Sequence, residues 1–279
     1  MDWQTRRFRI DLSRPRVMGI VNVTPDSFSD GGRHDVPCAA IAHCERLVAA
    51  GADILDIGGE STRPGAPSVD AEAEWARIAP VLPAALALGV PVSIDTYKPE
   101  VMRRALDAGV DIINDVQALR RPGALAVVAG SGAGVCLMHM RGEPATMAQL
   151  TDYEDVVADV AAFLRERTAA AEAAGVARAC IAWDPGYGFA KTAAQNLALL
   201  ARQRELLADG LPLLVGWSRK RTLGELTGRP PEQRVAASVA AALRAVAEGA
   251  RIVRVHDVVE TIDAIRVWHA VDTATIPAL

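Results

Sequence analysis

No stretch of this sequence reaches the roughly 18 uninterrupted apolar residues that a membrane-spanning helix needs, so a helical membrane protein is not expected. The first sixteen residues, MDWQTRRFRIDLSRPR, carry arginines but lack the apolar core of a secretion signal, and the expected location is the cytoplasm. A basic surplus is missing too. The formal net charge of −4 argues against general binding to nucleic acid or anionic membrane, where a basic face supplies most of the affinity; any anion must be met locally. The four cysteines, Cys38, Cys44, Cys136 and Cys180, have neither CxxC spacing nor an accompanying histidine pattern. A zinc site or disulfide framework is therefore not expected, and buried reduced thiols are. Nor does any low-complexity linker or shift in composition divide the chain, so residues 1–279 are expected to form one domain.

What the sequence does contain is apolar and repetitive. Hydrophobic residues make up 51% and charged residues 23% of 279, ample for a large core. Eight short apolar runs end in polar residues: Val17–Val23, Asp53–Gly58, Val90–Asp95, Asp111–Val116, Gly134–Met140, Ala179–Asp184, Leu211–Trp217 and Ile252–His256. Helical patterns separate them, at Cys38–Ala50, Ala71–Leu88, Pro99–Ala108, Pro122–Ala129, Tyr153–Ala174, Ala193–Ala208, Pro231–Glu248 and Val258–Val267. Runs this rich in Val, Ile and Leu suit strands buried on both faces. Eight such βα units fit an open doubly wound sheet or a closed barrel. The polar residues favour the barrel: Asn22, Asp56, Asp95, Asn114, His139, Asp184, Lys220, Arg254 and His256 lie at or just after the C-terminal ends of different runs. In a (β/α)8 TIM barrel those ends converge on one mouth, where ligands bind. The stretches after the first two runs, Thr24–Pro37 and Gly59–Val69, are about twice the usual 2–6 residues and are placed to cover a substrate.

Several of these residues point to particular chemistry. Asp95, Asn114, Asp115 and Asp184 bring acceptors to the ends of apolar strands, where an unpaired charge is costly; either internal partners or a ligand must satisfy them. A flat heterocycle with an amino-amidine edge offers two parallel N–H donors, which a carboxylate accepts in bidentate fashion. Arg63, in GGESTRPGAPS, offers a planar fork suited to phosphate, with Glu60 and Asp70 as alternative partners. SRKR at Ser218–Arg221 and RVHD at Arg254–Asp257 follow the last two strands, where many barrels hold phosphate. Arg254, His256 and Arg63 would form an anion clamp, with Asn22 giving an oxygen ligand to a Mg2+ that keeps several waters. Phe28, a lone aromatic in TPDSFSDGG, needs something to pack on. His139 lies between Met138 and Met140, which read as core filling; no catalytic role is assigned to it.

The motifs MGIVNVTPDSFSDGG, GADILDIGGESTRPGA, SIDTYKP, IINDV, MHMRGEP, DPGYGFAKT, VGWSRKR and RVHDV, taken in order and spacing, resemble the dihydropteroate synthase family over nearly the whole chain. The resemblance implies condensation of 6-hydroxymethyl-7,8-dihydropterin pyrophosphate with p-aminobenzoate to 7,8-dihydropteroate and pyrophosphate. It implies Lys220, Arg63, Asp95 and Asp184 as catalytic residues, and a pterin site of Asp95, Asn114, Met138, Asp184, Phe189 and Lys220. It places p-aminobenzoate against Thr62, Pro64, Phe28, Phe189 and Ser218, and pyrophosphate against Asn22, Arg63, Arg254 and His256, with Mg2+ on Asn22. A homodimer through barrel helices is implied too. A methyltetrahydrofolate:corrinoid methyltransferase would share the pterin contacts but has no need of the pyrophosphate clamp. A silent pterin-binding paralogue would keep the ligands without turnover.

Overall fold

A computed structural model describes residues 1–24, 32–61, 65–66 and 68–275, residues 32–35 by their backbone alone. Eight parallel strands, β3 (Arg16–Asn22), β4 (Ile54–Gly58), β5 (Val92–Asp95), β6 (Ile112–Asp115), β7 (Gly134–Met138), β8 (Ile181–Asp184), β9 (Leu214–Val215) and β10 (Ile252–Val255), form one sheet in the order β8-β7-β6-β5-β4-β3-β10-β9. A parallel bridge between Trp183 and Leu213 joins its two ends and closes the barrel. Helices α1 (Gly32–Ala49), α2 (Ala71–Ile78), α3 (Leu82–Ala87), α4 (Pro99–Asp107), α5 (Ala124–Val128), α6 (Val156–Ala173), α7 (Ala193–Ala201), α8 (Arg221–Thr227), α9 (Val235–Ala247) and α10 (Val258–Thr273) occupy the connections. All eight expected strands are present, the seventh cut to two residues, and the (β/α)8 barrel is the fold.

The interior is layered. Because side chains alternate along a strand, the residue two places after an inward one also points inward. Met18, Ile54, Ile112, Cys136, Ala182, Leu214 and Ile252 form the apolar lower layer. One inward step later four of these strands carry Asp56, Asn114, Asp184 and Arg254, and β7 carries Met138. Four strands thus switch from apolar to polar within two residues, at the C-terminal mouth.

The lower mouth is plugged by an antiparallel hairpin, β1 (Asp2–Gln4) and β2 (Arg9–Asp11), which the sequence reading left unassigned. Trp3, Ile10 and Leu12 pack into the apolar layer, and Trp3 Nε1 donates to the Cys180 carbonyl at 2.8 Å. Arg7 grips Asp111 with Nε and Nη2 at 2.8 and 2.6 Å, while Asp111 also accepts from Val92 N–H at 2.9 Å.

The structure corrects several boundaries. The helix expected over Ala71–Leu88 is two helices, α2 and α3, interrupted at 79–81, where Pro80 lacks the N–H a continuous helix would use. The first long loop, expected to reach Pro37, ends at α1, which begins at Gly32 and carries Pro37 inside it. Helix α8 was not expected; Gly224 within it weakens its helical signal, yet a Cβ there would come within 2.1 Å of Arg234 Nη2, which packs across the helix.

Candidate active site

Asn22 ends β3, half-buried; Asp95 and Asp184 end β5 and β8; Asn114 lies third in β6; Arg254 lies third in β10 with His256 just beyond it. Lys220 immediately precedes α8 as its N-cap residue. Register holds these at similar height, with Asp95 beside Asn114 and Met138 beside Asp184. Thr62, Arg63, Pro64 and Phe28 lie outside the described residues.

The centre of the mouth is a charge cluster. Arg254 Nε donates to Asp56 Oδ2 at 2.5 Å and its Nη2 to Asp95 Oδ2 at 2.8 Å. Asn114 Nδ2 adds a longer bond to Asp56 Oδ2, at 3.2 Å. The expectation placed Arg254 on an anion; here it answers two carboxylates. Burial alone would favour losing the Arg254 proton, and Asp56 and Asp95 more than reverse this, raising its pKa. Asp95 is shifted upward, first by burial and then by Asp56, with Arg254 pulling against both. Two acceptors are left over: Asp56 Oδ1 and Asp95 Oδ1 are buried and find no partner among the described residues.

Asp184 closes the far side. Its Oδ1 accepts the Gly186 N–H at 2.7 Å, and burial raises its pKa against that bond and against the charges of Lys220 and Arg254. Lys220 Nζ stands over the Phe189 ring, 4.1 Å from its centroid, a cation–π contact. Phe189 shares a small apolar cluster with Met138, Met140, Tyr97 and Met147, so the mouth has an apolar wall beside its charges. Asp115, next to Asn114, faces the other way: its two oxygens cap the N–H groups of Gln117 and Leu119 at 2.7 and 2.8 Å.

After β9 the chain turns sharply. Arg219 adopts a left-handed φ of 58° and pairs with Asp257, leaving Lys220 to point toward Phe189. Ser218 Oγ lies 2.9 Å from His256 Nδ1 and accepts the His256 N–H at 3.2 Å. This joins the ends of the last two strands.

The sequence reading placed Asp56 at the mouth with the other polar strand ends but named no partner or ligand for it; its inward position, two residues past Ile54, follows from period two. It also missed a buried cluster behind the second long loop. Lys98 Nζ donates to both Glu60 and Glu74, and Glu60 Oε1 accepts from Tyr97 Oη at 2.9 Å and Val69 N–H at 3.2 Å. Glu60 so ties the beginning of that loop to its end. Arg77 Nη1 fixes the Gly59 carbonyl at 2.7 Å.

Among the described residues, Asn22 has the chemistry a Mg2+ would need. Asn22 offers a hard amide oxygen at the open end of β3, and an ion that keeps its waters needs only one or two protein oxygens beside substrate phosphates.

The model for pterin binding enzymes matches residues 18–256. The chain is 53% identical to the dihydropteroate synthase of Neisseria meningitidis serogroup B, covering 96% of each. Among solved structures it is similar to Xanthomonas albilineans dihydropteroate synthase with 4-aminobenzoic acid, at 54% identity, 98% and 99% coverage and a TM-score of 0.92. The same enzyme in complex with 7,8-dihydropteroate matches at 53% identity over 95% and 96%, with a TM-score of 0.87.

Proposed function

This chain belongs to the pterin-binding enzymes as a member of the dihydropteroate synthase family, and on that premise we propose how its barrel mouth joins 6-hydroxymethyl-7,8-dihydropterin pyrophosphate to p-aminobenzoate. The observation that carries the reading is the pair of buried, unpartnered carboxylate oxygens on Asp56 and Asp95. An open buried acceptor costs about 1–3 kcal/mol, which a ligand's N–H groups recover. The amino-amidine edge of the pterin supplies such donors to Asp95 and Asp184, and Asn114 offers both donor and acceptor beside them. Met138 and the Phe189 ring wall the flat heterocycle.

In the reaction the bond between the pterin methylene carbon and the pyrophosphate oxygen breaks, its electron pair leaving with the oxygen. The aniline nitrogen of p-aminobenzoate then forms the new bond to that carbon and releases its surplus proton to water. Positive charge spread over the pterin ring is stabilised by the carboxylates of Asp95 and Asp184. Lys220, Arg63, Arg254 and His256 serve the departing anion. Asn22 would hold a Mg2+, which supplies countercharge to the pyrophosphate when bound. No strong base is needed, because the attacking amine is neutral at pH 7; placement and exclusion of water do the rest. Thr62, Pro64, Phe28, Ser218 and Phe189 border the p-aminobenzoate.

The proposal extends to assembly and location. Leu243, Ala264, Val267, Trp268 and Val271 give α9 and α10 a common apolar face, on which Val267, Trp268 and Val271 are exposed. An outer face of this kind suits a homodimer through barrel helices. No helix among the described residues is long and apolar enough to cross a membrane, and a cytoplasmic biosynthetic enzyme fits the small-molecule substrates.

Pyrophosphate release by the purified protein tests the reading. Release that requires p-aminobenzoate and Mg2+, with 7,8-dihydropteroate as product and inhibition by a sulfonamide competing with p-aminobenzoate, is expected. Folded protein that binds the pterin without turnover would instead identify a silent paralogue.

A further inference from the structure

The turn between β8 and α7 is built around a buried cation. Lys191 is 8% exposed, yet each of its three ammonium hydrogens has an acceptor: His139 Nδ1 at 3.0 Å, the Gly186 carbonyl at 3.0 Å and the Phe189 carbonyl at 3.1 Å. An ammonium has three donors, and this tripod uses each once. Two acceptors belong to the turn and the third follows β7, so the lysine stitches two neighbouring strand ends together.

The stitched residues reach the mouth. Gly186, which accepts from Lys191, gives its own N–H to Asp184 Oδ1, and His139 N–H donates to the Asp184 carbonyl at 2.9 Å. Phe189, the other acceptor, carries the ring over which Lys220 stands. The turn passes so close to β7 that a Cβ on Gly186, at φ 69°, would meet the His139 carbonyl oxygen at 2.0 Å; only glycine fits. Asn196 of α7 locks the outer side, its Oδ1 accepting from Gly188 N–H at 2.8 Å and its Nδ2 donating to Thr222 Oγ1 at 3.2 Å.

A buried ammonium is a costly way to fill space. Burial lowers the Lys191 pKa to about 7; Asp184 opposes the fall, while Lys220 and Arg141 add to it. Burial likewise holds His139 near 2, so its ring is neutral and can accept. What the cation provides, and an apolar side chain of the same size would not, is direction to two carbonyls and positive charge near Asp184.

We propose that Lys191 is a positioning residue for the synthase reaction: from behind the turn it orients the Asp184 carboxylate and the Phe189 ring, and so sets the pterin and p-aminobenzoate subsites together without touching either substrate. This rests on the reading of the mouth given above.

Lys191→Met removes the tripod and keeps much of the side-chain volume. Calorimetry with 6-hydroxymethyl-7,8-dihydropterin is expected to show at least about tenfold weaker binding, and the KM for p-aminobenzoate should rise, while inorganic pyrophosphate with Mg2+ binds within about twofold of wild type. Pterin binding and KM within about twofold of wild type would overturn the proposal, and so would an equal loss of pyrophosphate binding, which marks a general loss of structure. If Lys191→Met does not fold, His139→Leu and His139→Asn decide on the same readout. Leucine deletes an acceptor, and asparagine can present Oδ1 where Nδ1 stands, so asparagine should recover most of the pterin affinity lost with leucine. Equal effects of the two would sink the idea. Absence of turnover in the wild-type protein would count against the synthase reading, whereas a wild-type enzyme indifferent to Lys191 would count against this inference alone.

Discussion

One guanidinium, that of Arg254, answers both Asp56 and Asp95 while each keeps an oxygen in reserve. The mouth is thus charged before a ligand arrives, and a neutral isostere should be felt. Asp184→Asn is expected to weaken pterin binding more than pyrophosphate binding; equal losses by calorimetry would contradict the assigned pocket. Lys220→Ala, which strips the cation from the Phe189 ring, should lower kcat/KM at least about tenfold, roughly 1.4 kcal/mol, with an unchanged circular dichroism spectrum. Wild-type kinetics would remove Lys220 from the machinery. At this scale the sequence was readable wherever a polar residue follows an apolar run, as at Asn22, Asp95, Asn114, Asp184 and Arg254. It could not say which partner each would choose: Asn114 and Asp115 are neighbours, yet one joins the mouth and the other caps its own turn. Lys191, in FAKT, has the sequence context of an ordinary surface lysine.

Between elements, the cluster of Lys98, Glu60 and Glu74 links the start of α4, the long loop after β4 and the body of α2. Removing one partner of a buried ion pair costs about 3–5 kcal/mol because the other is left uncompensated. Lys98→Met should therefore lower stability by about that amount in urea unfolding, with Glu74 already shifted upward by burial. A loss below about 1 kcal/mol would mean that water reaches the cluster. The elements that escaped the sequence share a cause. Strands β1 and β2 are three residues each, too short for an alternating pattern to stand out, and α8 carries a glycine at its centre. Their places are set by tertiary partners such as Arg234, Cys180 and Asp111, which no local window contains.

For the whole molecule, the burial of one histidine sets an acid response of the fold. His139 stays neutral in the fold, with its pKa held near 2, whereas the unfolded chain protonates it at the usual histidine value of about 6.5. The folded pKa is the lower one, so this residue's contribution to stability is intact above about pH 6.5 and shrinks as the pH falls. Between pH 7 and 5 the loss is about 2 kcal/mol. His139→Asn should lose correspondingly less in urea unfolding at the two pH values. An identical drop in both proteins would show that the ring does not refuse its proton.

The hairpin below the barrel carries one more consequence, for the order of assembly. Trp3 is finished in a nascent chain long before its acceptor at Cys180, and Arg7 long before Asp111. Emerging from a ribosome at roughly 5–20 residues per second, the plug must wait about ten seconds or more for its socket, an indole and its apolar companions exposed meanwhile. The hairpin residues, made well before their partners, are therefore among the last that can be seated, and the interval between is when this chain most needs protection from its neighbours.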